Sequence, residues 1–152
     1  DLPKIKVRST EGKVYLVNDE AGNLDQIILP IKGAGLWSTL YGFLALTADT
    51  KYVKGIAFHE HGETPGLGGE IENPNWQAIW KGKEPFNESF EPVIQVIKGA
   101  VEEGVAEGQH KIDGISGATI TGRGVQHLVN YWLGPNGYGP YLKNLREGNG
   151  GI

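Results

Sequence analysis

The sequence contains no cysteine and no methionine. Without a thiol, disulfides, thiolate metal sites and cysteine nucleophiles are excluded, and any redox chemistry needs an added cofactor. Methionine is missing even at position 1, which is Asp1, so the chain reads as a processed or trimmed product. Long apolar runs are also lacking. The longest, 33–48, is broken by Ser38, Thr39 and several glycines and falls short of the roughly 20 residues that a spanning helix needs. Positive charge is in deficit: 14 basic against 18 acidic residues leave −4 with neutral histidines. That balance offers no general attraction to a phosphate backbone or anionic lipid, so no nucleic-acid partner is expected.

Glycine, by contrast, is abundant: 24 of 152 residues, about twice the usual share. The hydrophobic fraction of 39% is too high for a disordered chain, so these glycines shape ordered loops. The length suits one domain over 1–152. Ile5 and Val7 alternate with Lys4, Lys6 and Arg8, and Val14 to Val17 form a β-rich run closed by Asn18, Asp19 and Gly22. Ile27 to Ile31 continues the pattern, with Pro30 predicting an edge strand or a strand end. Leu40 to Thr47 and Tyr52 to Phe58 are spaced as an antiparallel hairpin. A Gly- and Pro-rich loop spans His61 to Asn73, and a loop of that length in a compact domain points to function.

Beyond that loop, Asn73 and Pro74 read as a cap and first position of a helix around Asn75 to Trp80. Val93 to Ile97 reads as a strand. Val125, Leu128, Val129 and Trp132 recur at i, i+3, i+4 and i+7, which predicts a helix over Gly124 to Leu133 stopped by Gly134 and Pro135. A shorter helix over Tyr141 to Arg146 precedes a tail, 147–152, expected to be disordered. The fold class that follows is α+β, a single domain with a twisted antiparallel sheet and flanking helices.

Ser116, Thr119 and Thr121 sit among small residues on the approach to the strong helix. Unpaired N–H groups and the positive dipole end favour a phosphate there, while the plainer alternative is that one hydroxyl only caps the helix. No Gly-x-x-x-x-Gly-Lys-Ser/Thr occurs, and Gly33-Ala34-Gly35 is followed by Trp37 and Ser38 where a dinucleotide motif needs its third glycine. A serine hydrolase centred on Ser116 is set aside, since no Asp follows it and Glu147 comes after His127. His59 and His61 share a strand face but lack a third ligand in sequence, so no metal is assigned. Trp76, Trp80 and Trp132 fall at helix-core spacing, which leaves Trp37, beside Gly33 and Gly35, for a flat ligand.

Asp113, Ser116, Gly117, Ala118 and Thr119 together resemble the Asp-x-x-Ser-Gly-Ala-Thr flavinylation signature of the FMN-binding domain family. Two further blocks, Gly33 to Ser38 and Gly62 to Ile71 with its Asn73 to Trp76 continuation, are similar to one branch of that family, the C-type subunits of bacterial sodium-translocating NADH:quinone reductases. A related branch, the G-type subunits of electron-transport complexes, shares the flavin motif and the Glu-Thr-Pro-Gly-Leu-Gly core. Leu36 to Thr39 and Gly124 to His127 stand closer to the C-type branch. The resemblance covers roughly Lys13 to Leu145.

By that resemblance, Thr119 bears FMN through a covalent phosphoester, and Ser116, Gly117, Ala118 and Thr121 with the helix terminus stabilise the remaining phosphate charge. Asp113 serves recognition by a flavin transferase that uses FAD and Mg2+. Thr64, Pro65, Gly66 and Leu67 line the isoalloxazine ring, with Trp37 as a second wall, Lys98 as a further phosphate or ring contact and Glu63 among the cofactor-binding residues. The implied function is an electron carrier between NADH and quinone, coupled elsewhere in a membrane complex to sodium export. Other subunits are the implied partners, and an N-terminal anchor absent from this chain holds the domain on the periplasmic side of the inner membrane. Two other readings stay open: a G-type relay serving ferredoxin and NAD, and an envelope module binding a free phosphate-bearing ligand.

Overall fold

The computed structural model describes residues 5–9 and 13–149, with side chains over 14–148. Five strands form an antiparallel sheet in sequence order: β1 (Ile5–Ser9), β2 (Lys13–Asn18), β3 (Leu24–Ala34), β4 (Thr39–Thr47) and β5 (Val53–Glu60). Alternation drives the pairing. Along β4, Leu40, Leu44 and Leu46 are buried while Tyr41 and Phe43 face outward, as period-2 patterning requires. The β2–β3 turn is pinned by Asp19, whose Oδ1 accepts from the Ala21 and Asn23 N–H groups. Asp49 does the same in the β4–β5 turn, accepting from the Thr47 hydroxyl and the Lys51 N–H.

β3 meets half of the expectation for Pro30. The strand does not end there but runs on to Ala34, and although β3 stands between β2 and β4 in the sheet, Pro30 lies on a stretch that is locally an edge. Among the described residues, its β2 partners stop at Ile28, and from Leu29 onward it pairs with β4 alone. In an extended chain the N–H and C=O of one residue point to the same side, so the missing donor of Pro30 falls where no strand asks for it. Its carbonyl accepts from the Tyr138 hydroxyl at 2.7 Å, and the Lys32 carbonyl, two residues on, accepts from Trp132 Nε1 at 2.8 Å. Burial pushes the Tyr138 phenol up to about 12, which keeps it protonated as a donor.

α1 (Pro74–Ile79) begins as predicted, with Asn73 Oδ1 accepting from the Asn75 N–H at 2.8 Å and Pro74 in the first turn. Trp76 and Trp80 are both buried and meet edge to face at 5.8 Å. α2 (Thr119–Leu133) starts five residues before the expected Gly124. Its buried stripe already includes Thr121 and Gly122 ahead of Val125, Leu128 and Val129, and it lies across β3. Gly124 permits the approach, because an added Cβ would overlap the Ala34 carbonyl oxygen. α3 (Gly139–Asn144) stands for the expected helix over Tyr141 to Arg146 and is followed by a helical turn over Leu145–Asn149. The tail expected from 147 thus begins within that turn, and 150–152 lie outside the described residues.

Of the strand expected over Val93 to Ile97, β6 (Gln95–Val96) remains, paired in parallel with β7 (Lys111–Ile112). Side chains of α2 take over as partners on its other side. The Ile94 N–H and C=O bond the Asn130 side chain, and the Val96 N–H donates to Gln126 Oε1 at 2.9 Å. Among the described residues no helix is long and apolar enough to cross a membrane.

Candidate functional site

The early start of α2 makes Thr119 its first residue, directly after Ala118 at the cap position. Among the described residues no side chain caps this end, so none of the three hydroxyls fills the capping role considered above, and the first-turn N–H groups keep their positive end open. Thr119 and Ser116 are exposed. They open on a cavity of about 460 Å³ whose far wall is 96–99 and whose near wall is 114–119 with Gly122 and Arg123. Lys98 and Arg123 both line it, and among its described lining residues there is no carboxylate. An exposed hydroxyl at an uncapped helix start, flanked by two cations, fits an anionic phosphoester on that hydroxyl.

Beside the cavity a buried carboxylate joins three segments. Glu63, 5% exposed, accepts through Oε1 from the Leu36 N–H (2.7 Å) and the Thr121 hydroxyl (2.8 Å). Its Oε2 accepts from the Trp37 N–H (2.9 Å) and the Ser38 hydroxyl (3.0 Å). Burial works against the charged form, but the four donors outweigh it and hold this carboxyl below the usual glutamate range. Glycines are packed against the cluster: a Cβ at Gly35 would stand 2.6 Å from Glu63 Oε1, and one at Gly68 2.6 Å from Thr121 Oγ1.

Most residues singled out in the sequence come together at this corner. Thr64 to Leu67 form an exposed turn in which the Leu67 and Gly69 N–H groups donate to the Thr64 carbonyl, and Gly66 takes a φ of +79°. Leu67 leans on Gly117, its Cδ2 3.1 Å from where a Cβ would be. Trp37 is 70% exposed and Leu67 45%, a large apolar display for side chains in ordered loops. Trp76, Trp80 and Trp132 have the packing roles expected of them, Trp132 being half-buried against Tyr138.

Three residues are placed differently. Thr121, 1% exposed, and Glu63 face each other rather than the cavity. Asp113 also turns away: its Oδ1 accepts from the Val101 N–H and its carbonyl from Trp76 Nε1, which braces the loop ahead of Ser116. His59 and His61 have separate partners. His59 lies against the rings of Tyr41 and Phe43, while His61 Nδ1 accepts from the Glu63 N–H and Nε2 sits 3.1 Å from Glu72 Oε1. Arg123 is the site residue that sequence reasoning missed. With the helix placed from Gly124 it fell outside, yet its signal was present, one turn (i+4) beyond Thr119.

A family model described as an FMN-binding domain matches residues 35–134, from the Trp37 loop to the end of α2. The C-type subunit of the Na(+)-translocating NADH-quinone reductase of Pseudomonas aeruginosa is 49% identical over 148 residues, covering 97% of this chain and 56% of that protein. The protein of the same name from Vibrio parahaemolyticus is 47% identical over 148 residues, covering 97% of this chain and 55% of that protein. The chain therefore spans little more than half the length of these relatives. The crystal structure of Shewanella oneidensis NqrC superimposes with a TM-score of 0.83 at 39% identity, over 89% of this chain and 61% of that one. The matched span holds the Trp37 loop, the Thr64–Leu67 turn and Thr119 alike, and this chain belongs to the FMN-binding domain family.

Proposed function

We propose that the chain carries FMN as a phosphoester on Thr119 and acts as an electron relay in an NqrC-like component of a sodium-translocating NADH:quinone reductase. The observation that carries this reading is the exposed Thr119 hydroxyl at the uncapped start of α2, facing a cavity with Lys98 and Arg123 in its wall. Thr119 Oγ would carry the FMN phosphate as an ester, installed from FAD by a flavin transferase that uses Mg2+. The bound flavin supplies acceptance and release of electrons singly or in pairs.

This chain's residues hold and shelter that group. The first-turn N–H groups, Lys98 and Arg123 face the phosphoester charge, while Leu67 and Trp37 offer apolar surface to a flat ring. No general acid or base is required of them. Electrons from NADH, passage toward quinone, sodium export and the neighbouring subunits belong to the same proposal, supported by the names of the relatives; a periplasmic position beside the inner membrane belongs to it through the resemblance alone.

Coexpression with a flavin transferase is expected to raise the intact mass by one FMN-phosphoryl unit, and Thr119→Ala to abolish the gain. An unmodified wild-type mass under those conditions overturns the covalent reading and favours a module that binds a free phosphate-bearing ligand.

A further inference from the structure

We infer that Glu63 is a positioning residue for the ring site, fastening the 35–38 loop and the first turn of α2 to the 62–69 loop so that the surfaces around Thr119 are held as one piece. What those surfaces enclose rests on the FMN reading above; the clasp itself rests on geometry. Glu63 does not line the Thr119 cavity, so any influence on a group there passes through its partners. Those partners carry the candidate walls: the Trp37 N–H is itself one of the four donors, and Thr121 lies two residues from the tether. Ser38 closes the circuit, donating to Glu63 Oε2 and accepting from the Gly62 N–H at 2.7 Å.

The choice of a carboxylate is the telling point. None of the four bonded groups is a cation, so the charge is balanced by N–H and hydroxyl dipoles alone. Burying a carboxylate on such terms is costly, and an apolar or amide side chain would avoid that cost. A glutamine, however, has one acceptor oxygen, and its NH2 group would oppose a backbone N–H, that of Leu36 or Trp37, beside a hydroxyl that can turn to accept. Two fixed backbone N–H groups, one aimed at each oxygen position, call for an acceptor with two oxygens, and this accounts for an ionised group in the interior.

The test compares wild type with Glu63→Gln in two states. In the unflavinylated chain, amide hydrogen exchange at Leu36 and Trp37 is expected to quicken by about tenfold or more, while Val125 and Leu128 in α2 keep their wild-type rates. In the flavinylated chain, the visible circular dichroism and the midpoint potential are expected to shift. Adding Thr121→Val to Glu63→Gln should shift them no further, since both act through one cluster. Unchanged exchange at Leu36 and Trp37 overturns the clasp. Loosened amides with an unaltered flavin signal, or shifts that simply add, overturn the positioning role. If Glu63→Gln does not fold, Ser38→Ala and Thr121→Val each remove one donor, and the absence of any flavin shift in both overturns the inference. A wild-type chain that takes up no FMN sinks the FMN reading and the ring role with it, while exchange at Leu36 and Trp37 still decides the clasp separately.

Discussion

At the scale of single residues, Glu63 makes the site sensitive to acid. Because the folded state holds its carboxyl below the ordinary value of 4.5, the ionised form stabilises the fold above that value, and the contribution is lost as pH falls toward the lowered folded value. Glu63→Gln is expected to cost about 2–3 kcal/mol at neutral pH, with the gap to wild type closing below about pH 4, as chemical denaturation across pH will show. Asp49 is lowered as well, against burial, by the Thr47 hydroxyl and the Lys51 N–H, but it is common to both proteins and cancels from that difference. Arg123 is exposed, and its pull on a phosphate group at Thr119 would be correspondingly modest. Arg123→Gln should slow FMN attachment about two- to fivefold, measured as the initial rate of mass gain, and the deficit should fade at high salt. That Ser116 and Thr119 sit at the approach to the long helix was legible from the small residues around them and the apolar repeat that follows. The bonding of Glu63 to Thr121 was not, since 58 residues separate them and neither type announces a partner.

Among the elements, α2 shows what periodicity can and cannot deliver. Its apolar repeat was plain from Val125 onward, yet the same stripe continues backward through Gly122, Thr121 and Ala118, which are buried without being large or oily. That small end packs against β6 and the Glu63 cluster, and one turn further on Gly124 lets the helix sit close on β3. Gly124→Ala forces the helix off the Ala34 carbonyl and should destabilise the fold by about 1–3 kcal/mol, read as a lowered melting temperature, although alanine is the better helix former. The meander β2 to β5 was legible because its strands alternate and its turns carry Asp19 and Asp49. The short parallel pair β6 and β7 was not: two residues a side leave no periodicity, and Asn130 and Gln126 of α2 supply bonds that a longer strand would have made.

For the molecule as a whole, the core and the proposed attachment residue are separate. The buried cluster runs from Ile27, Leu29 and Leu44 in the sheet to Trp80, Val129 and Leu142, while Ser116, Gly117 and Thr119 lie on the surface. Folding is therefore expected not to depend on a group attached there. Unflavinylated wild type, wild type coexpressed with a flavin transferase and Thr119→Ala should share one far-UV spectrum and melt within a few degrees of one another; a large gap between the first two would show that a modification contributes to folding, and one between the first and third that the hydroxyl does. Among the described residues, the outer side of β3 beyond Ile28 meets no strand. A half-paired strand is an invitation for another polypeptide to add itself and begin a polymer. Here an indole and a phenol already occupy the Lys32 and Pro30 carbonyls, and proline offers no hydrogen in return. Two aromatic rings and an imino acid thus guard the sheet against self-association, a task that other proteins give to charged side chains or bulges.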